Sequence, residues 1–341
     1  MSDETRSASA ALRTDSMPAW RQRRYGGVDA VALEAVDVPA PGRGEVLVRL
    51  RATGLNNGDV RVMRGEPLLV RLAFGLRRPR QAVRGMDAAA TVVAIGDGVS
   101  GLAVGDEVVG ELPGGGLARY ALAPASRLVP RPPALDPVAA AALPVAGGTA
   151  WQALERGDVA SGQRILVIGA SGGVGTFAVQ LATLRGTEVW ALCGERSRAL
   201  VESLGAACTF DYRAVQPGAP ELEDAAFDAV IDIAGTAPLG ALQRLVRRGG
   251  RVVLVSGEGG RVLGPLGRML RAAVLSIGSR RPTRALAAAP KPDVLAELVA
   301  LTVDGSLRPV IERTFPFGDA RAALAHVAAG HAVGKIVVIA D

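Results

Sequence analysis

The amino-acid sequence predicts an α/β chain with a mainly β first part, a doubly wound parallel sheet after it, and a short mixed segment at the end. Three observations predict this. The run Ile165, Leu166, Val167, Ile168 is continuously aliphatic, as a parallel strand buried on both faces requires, and it enters a glycine cluster followed by a helical pattern. Further apolar strands alternate with helical stretches around it, at Glu188 to Leu192, Cys208 to Tyr212, Phe227 to Ile233 and Gly250 to Ser256. Ahead of it, short strands are separated by glycine and proline turns.

Residues 1 to 17 are rich in Ser, Ala and Asp without period and predict a disordered extension. Strands are expected at Val28 to Val36 and Glu45 to Leu50, with Pro39 to Gly44 turning between them, then at Ala89 to Ile95 and Glu107 to Val109. Pro137 to Leu143 and Thr149 to Glu155 read as helices, the first with proline at its entry. The central loop runs Gly169, Ala170, Ser171, Gly172, Gly173, Val174, Gly175. Alanine holds the place of the usual first glycine, and the preceding Gly169 offsets it. Such glycines let backbone N–H groups approach a pyrophosphate, and the helix that follows turns its positive end toward the anion. With a second strand in right-handed β-α-β order, the arrangement implies a dinucleotide site. The last part predicts a helix from Asp293 to Asp304, a short strand at Val310, a helix from Asp319 to Ala329 and a strand from Lys335 to Ile339. The expected division is an extension (1–17), a β-rich part (18–140), a nucleotide-binding part (141–284) and a segment (285–341) that returns to complete the β-rich part, with a substrate crevice between the two.

The 341 residues suffice for two cores, and 49% hydrophobic with 21% charged residues places the chain among globular sequences. Arg or Gly interrupts every apolar run before membrane-spanning length, and the N-terminus lacks a signal-peptide pattern, so a cytoplasmic protein without membrane partners is expected. The net charge of +6 comes from arginines spread along the chain, since Lys291 and Lys335 are the only lysines. No aromatic array accompanies the basic run Arg71 to Arg84, so nucleic acid is not an expected partner. Cys193 and Cys208 read as reduced core residues. With His326 and His331 as the only histidines and no Cys/His spacing of the zinc type, no metal is expected.

Several separated segments, in order, carry a resemblance. They are Tyr25-Gly26-Gly27, Pro41 to Val48, Ala52 to Asp59, Arg84 to Asp87, Val104 to Val108, Leu143-Pro144 through Ala150, Ala170 to Gly175, Leu204 to Ala206, Phe210 to Tyr212 and His331 to Lys335. From about Met17 to Val338 the chain resembles the zinc-free quinone oxidoreductases of the medium-chain dehydrogenase/reductase superfamily. The resemblance implies a GroES-like β-rich catalytic domain around a Rossmann domain, metal-free hydride transfer, and a homodimer. The zinc branch of that superfamily carries Cys and a His-Glu pair at places held here by Asn56 or Asn57 and by Met86-Asp87. Met63 stands where relatives often carry Arg.

The resemblance also implies site residues. Asn56 and Asp59 match an Asn-x-x-Asp motif beside the nicotinamide, where Asn56 would donate an amide N–H to the acceptor oxygen and Asp59 would act catalytically or order the loop. The cofactor residues implied are Thr149, Ser171, Gly172, Gly173, Val174, Gly175, Gly194, Arg196, Arg198, Tyr212, His331, Ala332, Val333 and Lys335. Arg196 and Arg198 after the second strand favour NADP(H) over NAD(H), although Glu195 stands near the place of a ribose carboxylate. The expected activity is NADPH-dependent reduction of a quinone or α,β-unsaturated carbonyl, with a small-molecule hydride acceptor as partner. The alternatives are an enoyl-thioester reductase, with Arg77, Arg78 and Arg80 holding a carrier phosphate, and an NADPH-binding regulatory or structural protein with little turnover. The segment Gly257 to Arg284 is expected to line the acceptor pocket, and Ala273 to Ile277 reads as an exposed strand suited to dimerisation.

Overall fold

The computed structural model describes residues 16–255, 264 and 266–340. The β-rich part contains β1 (Ser16–Gln22), β2 (Val31–Asp37), β3 (Glu45–Leu55), β4 (Asp87–Ile95), β5 (Glu107–Glu111), β6 (Tyr120–Pro124) and β7 (Leu128–Pro130). The parallel part contains β8 (Arg164–Ile168), β9 (Glu188–Cys193), β10 (Cys208–Asp211), β11 (Phe227–Asp232), β12 (Val246–Leu254) and β13 (Thr283–Ala285), and the chain ends with β14 (Ile311–Pro316) and β15 (Lys335–Ile339). Among the described residues these form three sheets: the pair β1-β2, a parallel sheet ordered β10-β9-β8-β11-β12-β13, and a sheet ordered β14-β15-β3-β4-β5-β7 in which β6 also pairs with β3.

The parallel sheet is doubly wound because its central strand is apolar on both faces. Ile165 and Val167 enter one core with Phe177 and Ala178 of the following helix, Gly173–Leu184. Leu166 and Ile168 enter the opposite core with Leu242 and Leu245 of the helix Leu239–Leu245. This is the two-residue alternation of a strand with no wet face. The strand order reverses direction between β8 and β11, which places a crevice at their C-terminal ends, where Gly169 and Ala234 meet.

The chain crosses back at its end. β15 lies antiparallel to β3, pairing Ile336 with Leu55 and Ile339 with Ala52, so the last strand joins the first large sheet after the parallel sheet is complete. Two glutamines fasten the returning segment. The Gln180 amide donates to the Arg308 carbonyl at 3.0 Å and accepts the Arg308 N–H at 2.9 Å. The Gln152 amide, on the helix Pro144–Arg156, does the same at Ala289, at 2.9 and 3.2 Å. Each side chain thus takes the place of a strand neighbour for a backbone that has none.

Three sequence expectations are corrected. Ser16 and Met17 belong to β1, paired with Asp37 and Val36, whereas the rest of the expected extension lies outside the described residues. Val28–Ala30 is a single 3-10 turn before β2, closed by the Ala30 N–H on the Gly27 carbonyl at 3.0 Å. Ala273 to Ser276 is helical, within Leu266–Ser276, and Ile277 follows it. A short apolar run does not distinguish the two periods, and here Leu270 and Val274 recur at helical spacing on an exposed face.

Replacing Gln180 by Leu leaves the Arg308 N–H and C=O without their partner. We expect a loss of about 1–3 kcal/mol, read as a lower denaturant midpoint with an unchanged slope.

Candidate active site

The helix Asn57–Arg64 begins where β3 leaves the sheet, and Asp59 closes its first turn. The Asp59 carboxylate accepts the backbone N–H of Asn56 at 3.0 Å and that of Gly85 at 2.9 Å. Gly65 stops the helix in a left-handed conformation, with φ of 61°. Asn56 is therefore held with an extended backbone at the cap, its side chain directed into the junction of β3, β4 and β15.

At that junction the Lys335 ammonium makes three hydrogen bonds: to Asn56 Oδ1 at 2.5 Å, to Asp87 Oδ2 at 3.0 Å and to the Leu55 carbonyl at 3.2 Å. The Asn56 Nδ2 donates to the same Asp87 oxygen at 2.9 Å. The amide orientation is dictated chemically, since an ammonium only donates and a carboxylate only accepts. The second Asp87 oxygen accepts the Val145 N–H at 3.0 Å, at the start of the helix Pro144–Arg156. Lys335 and Asp87 are 2% and 0% exposed, so this ion pair lies out of water, where losing either partner leaves an uncompensated charge.

Two more carboxyls crowd the pair. Burial pushes Asp59 up to about 6; the Gly85 N–H opposes the rise and the nearby Asp87 adds to it. Burial likewise raises Glu111 to about 7, with Asp87 adding to the rise and Arg127 and Lys335 opposing it.

The glycine loop abuts this junction. Gly169 has φ of 87°, so the turn needs glycine there, and Ala170 fits as a fully buried residue at the next position. Gly172 caps the helix Gly173–Leu184. The Gly334 N–H donates to the Ser171 carbonyl at 2.8 Å, and Gly172 and Gly334 form a parallel bridge. A Cβ on Gly173 would stand 3.1 Å from Lys335 Cδ and 3.3 Å from the Gly334 carbonyl oxygen. The helix start, with backbone N–H groups not yet used in the helix, thus faces the same edge as the polar junction, a cradle that fits a dinucleotide's pyrophosphate.

The other expected cofactor residues fall into groups. Gly194, after β9, sits beside Tyr212 and Arg213: a Cβ there would lie 3.8 Å from Tyr212 Cε1 and 3.9 Å from Arg213 Nη1. Arg213 stacks on the Tyr212 ring, 4.8 Å from its centroid. Arg196 is exposed and makes no ion pair among the described residues. Arg198 is engaged at the surface, bonded to Thr209 Oγ1 at 3.1 Å and paired with Glu195 at 3.3 Å. Val174 packs half-buried against the main core, and Gly175 is buried within the helix. Thr149 is half-buried on the helix Pro144–Arg156. His331 is exposed, Ala332 packs against the core beside β15, and the Val333 N–H donates to Glu312 at 2.9 Å. Met63 is fully buried in that core, which accounts for an apolar residue at its position. The expected pocket segment Gly257 to Arg284 lies in part outside the described residues.

Sequence reasoning missed Asp87 as an anchor, Glu111 as its cross-strand neighbour, and Arg213 beside Tyr212. Asp87 and Glu111 come together only through the pairing of β4 with β5, in which they stand directly opposite.

Burial pushes the Cys193 thiol up to about 11, and both cysteines are free. Among the described residues no group of three or more His, Cys, Asp or Glu is placed to hold a metal ion, and no helix is long and apolar enough to cross a membrane.

A β-rich part closing over the glycine loop of a doubly wound sheet, with the last strand returning to carry a lysine between them, defines a medium-chain dehydrogenase/reductase. Comparison with known proteins agrees. A family model described as the alcohol dehydrogenase GroES-like domain matches residues 42–133, and one described as zinc-binding dehydrogenase matches residues 204–338. The chain is 37% identical over 327 residues to the quinone-oxidoreductase QR1, chloroplastic, of Triphysaria versicolor, covering 92% of this chain and 95% of that protein. It is 31% identical to the NADPH-dependent alkenal/one oxidoreductase, chloroplastic, of Arabidopsis thaliana, covering 99% and 85%. The solved quinone oxidoreductase from Coxiella burnetii superposes with a TM-score of 0.84 at 25% identity, covering 95% and 99%. The chain belongs to the quinone oxidoreductase-like family of medium-chain dehydrogenases/reductases. The expected cytoplasmic location does not stand, because these relatives are named as chloroplastic and others as mitochondrial.

Removing the charge from one partner of the ion pair should be far costlier than removing it from both. Lys335→Met or Asp87→Asn alone is expected to cost about 3–5 kcal/mol, and the double variant clearly less than the sum, in a cycle measured by chemical denaturation.

Proposed function

We propose that this chain reduces quinones or α,β-unsaturated carbonyl compounds with NADPH, without a metal ion. The observation that carries the reading is the state of Asn56. Its Oδ1 rests on the Lys335 ammonium and one Nδ2 hydrogen goes to Asp87, which leaves the second amide N–H for an acceptor oxygen at the edge shared with the glycine loop. The ammonium polarises the amide and makes that N–H a stronger donor to an oxygen gaining charge.

Reduced nicotinamide dinucleotide supplies the hydride when bound. The chain's own residues do the rest. The loop Ser171 to Gly175 binds the pyrophosphate, Asn56 stabilises the oxygen that gains charge, and Asp59 positions Asn56 through its backbone without touching the acceptor. The resemblance matches Asn56 or Asn57 and Met86-Asp87 to the places of metal ligands in zinc-dependent relatives, and here Asn56 and Asp87 hold the Lys335 ammonium, which already supplies a positive charge.

For NADPH over NADH, the support is the group Arg196, Tyr212 and Arg213 around Gly194, together with the pairing of Glu195 to Arg198, which occupies the carboxylate that a ribose diol would need. We further propose that residues 18–140 with 285–341 form one domain around 141–284. We also propose a homodimer, in which exposed Leu270, Val274 and Ile277 would be covered.

Titration with NADPH and NADH, followed by a panel of quinones, enones and enoyl thioesters, tests the reading. Turnover of quinones or enones supports it. Turnover confined to enoyl thioesters transfers it to the thioester class, for which Arg77, Arg78 and Arg80 are exposed. Binding without turnover sinks it. Asn56→Ala is expected to lower kcat about 100-fold while leaving the NADPH Kd within about threefold. Gly173→Asp should abolish NADPH binding, because its side chain is forced against Lys335 and its charge opposes the pyrophosphate.

A further inference from the structure

Glu111 is the carboxyl at this junction that the mechanism above does not use. It ends β5 directly opposite Asp87 on β4, and opposed residues of an antiparallel pair project on the same face. It therefore shares a face with the Asp87–Lys335 pair. Among the described residues no hydrogen bond to its side chain is found, although it is only half exposed. The neighbouring ammonium has no donor to spare, since all three Lys335 hydrogen bonds go to Asn56, Asp87 and Leu55. The charged groups that act on Glu111 are Asp87 from β4, Arg127 from the turn before β7, and Lys335 from β15.

We propose that Glu111 is a positioning residue that works as a neutral acid: while it keeps its proton, the Lys335 ammonium stays committed to Asn56 and Asp87, and when it ionises it draws the ammonium away and weakens the amide donor. The inference rests on the reductase reading for its effect on turnover, but not for its effect on the junction itself. Burial and the Asp87 charge act against the ionised form of Glu111 more than Arg127 and Lys335 favour it, and among the described residues no hydrogen-bond donor holds it ionised, so the proton stays on Glu111. Its rise to about 7 puts the change within the working range of pH. The direction follows: the competent form is protonated, so competence is complete below that value and is lost as pH rises through it.

The test compares wild type with Glu111→Gln, a neutral isostere, by three measurements across pH 5.5 to about 8.5. These are the infrared band of a protonated carboxyl in the protein without cofactor, the NADPH Kd, and kcat with whichever acceptor turns over. In wild type the band should vanish near pH 7 and kcat should fall about tenfold between pH 6 and 8. In Glu111→Gln the part of the band that is lost near pH 7 should be missing, while the part lost near 6 remains, and kcat should hold level over that interval. Asp59→Asn separates the neighbouring titration, because it removes a change near 6 and leaves the one near 7. A Glu111 already ionised at pH 6, or a kcat fall that persists unchanged in Glu111→Gln, overturns the proposal. If no acceptor is reduced, the reductase reading fails by itself. The proposal is then decided by NADPH binding, which should weaken through pH 7 in wild type and not in Glu111→Gln; a Kd with the same pH dependence in both overturns it.

Discussion

The buried ammonium of Lys335 is the constraint from which the rest of the site follows. Its three acceptors belong to the end of β3, the cap of the next helix and the start of β4, while the lysine itself opens the last strand. The chain must therefore run through the whole parallel sheet before the site near its beginning is complete. An ammonium suits this better than a guanidinium. It is a compact charge with three rotatable donors, able to meet acceptors on different sides, whereas a planar fork matches acceptors that lie in one plane. In a chain with 39 basic residues of which only Lys291 and Lys335 are lysine, one of those two stands at the most enclosed basic position among the described residues. Gly173 completes the argument, because a side chain there would press on the lysine's methylenes.

The same ammonium sets the charge balance. Asp59, Asp87 and Glu111 crowd one region, and burial raises both Asp59 and Glu111. Asp87 holds Lys335, Asn56 and the Val145 N–H directly. Cations oppose both rises, Arg84 at Asp59 and Arg127 with Lys335 at Glu111.

What the sequence made legible was local. The alternation of Ile165 to Ile168, the glycines after it and the strands that follow are written in contiguous residues, and the parallel sheet could be read from them. The role of Asp87 could not, because its partner is 248 residues away and nothing in Met86-Asp87-Ala88 announces an ion pair. The apolar run Ala273 to Ile277 failed for a different reason: five residues are too few to separate a helical period from a strand, and the exposed face it carries offers no core to decide between them. Glu195 was ambiguous in sequence and became clear only through Arg198, one helical turn on, which takes its carboxylate.

The contact between the two halves links binding to chemistry through backbone as well as charge. The Gly334 N–H on the Ser171 carbonyl fixes the glycine loop to the residue before Lys335, so any shift of that loop moves the lysine and with it Asn56. A pyrophosphate that orders the loop would thereby order the amide donor, and a cofactor seated poorly would leave the donor misaligned. Alignment of this kind matters, since hydride transfer depends on holding the reacting atoms at near-contact distance. The strand that returns last therefore closes the domain and also sets the distance between the place where the cofactor is held and the place where the acceptor's oxygen is received.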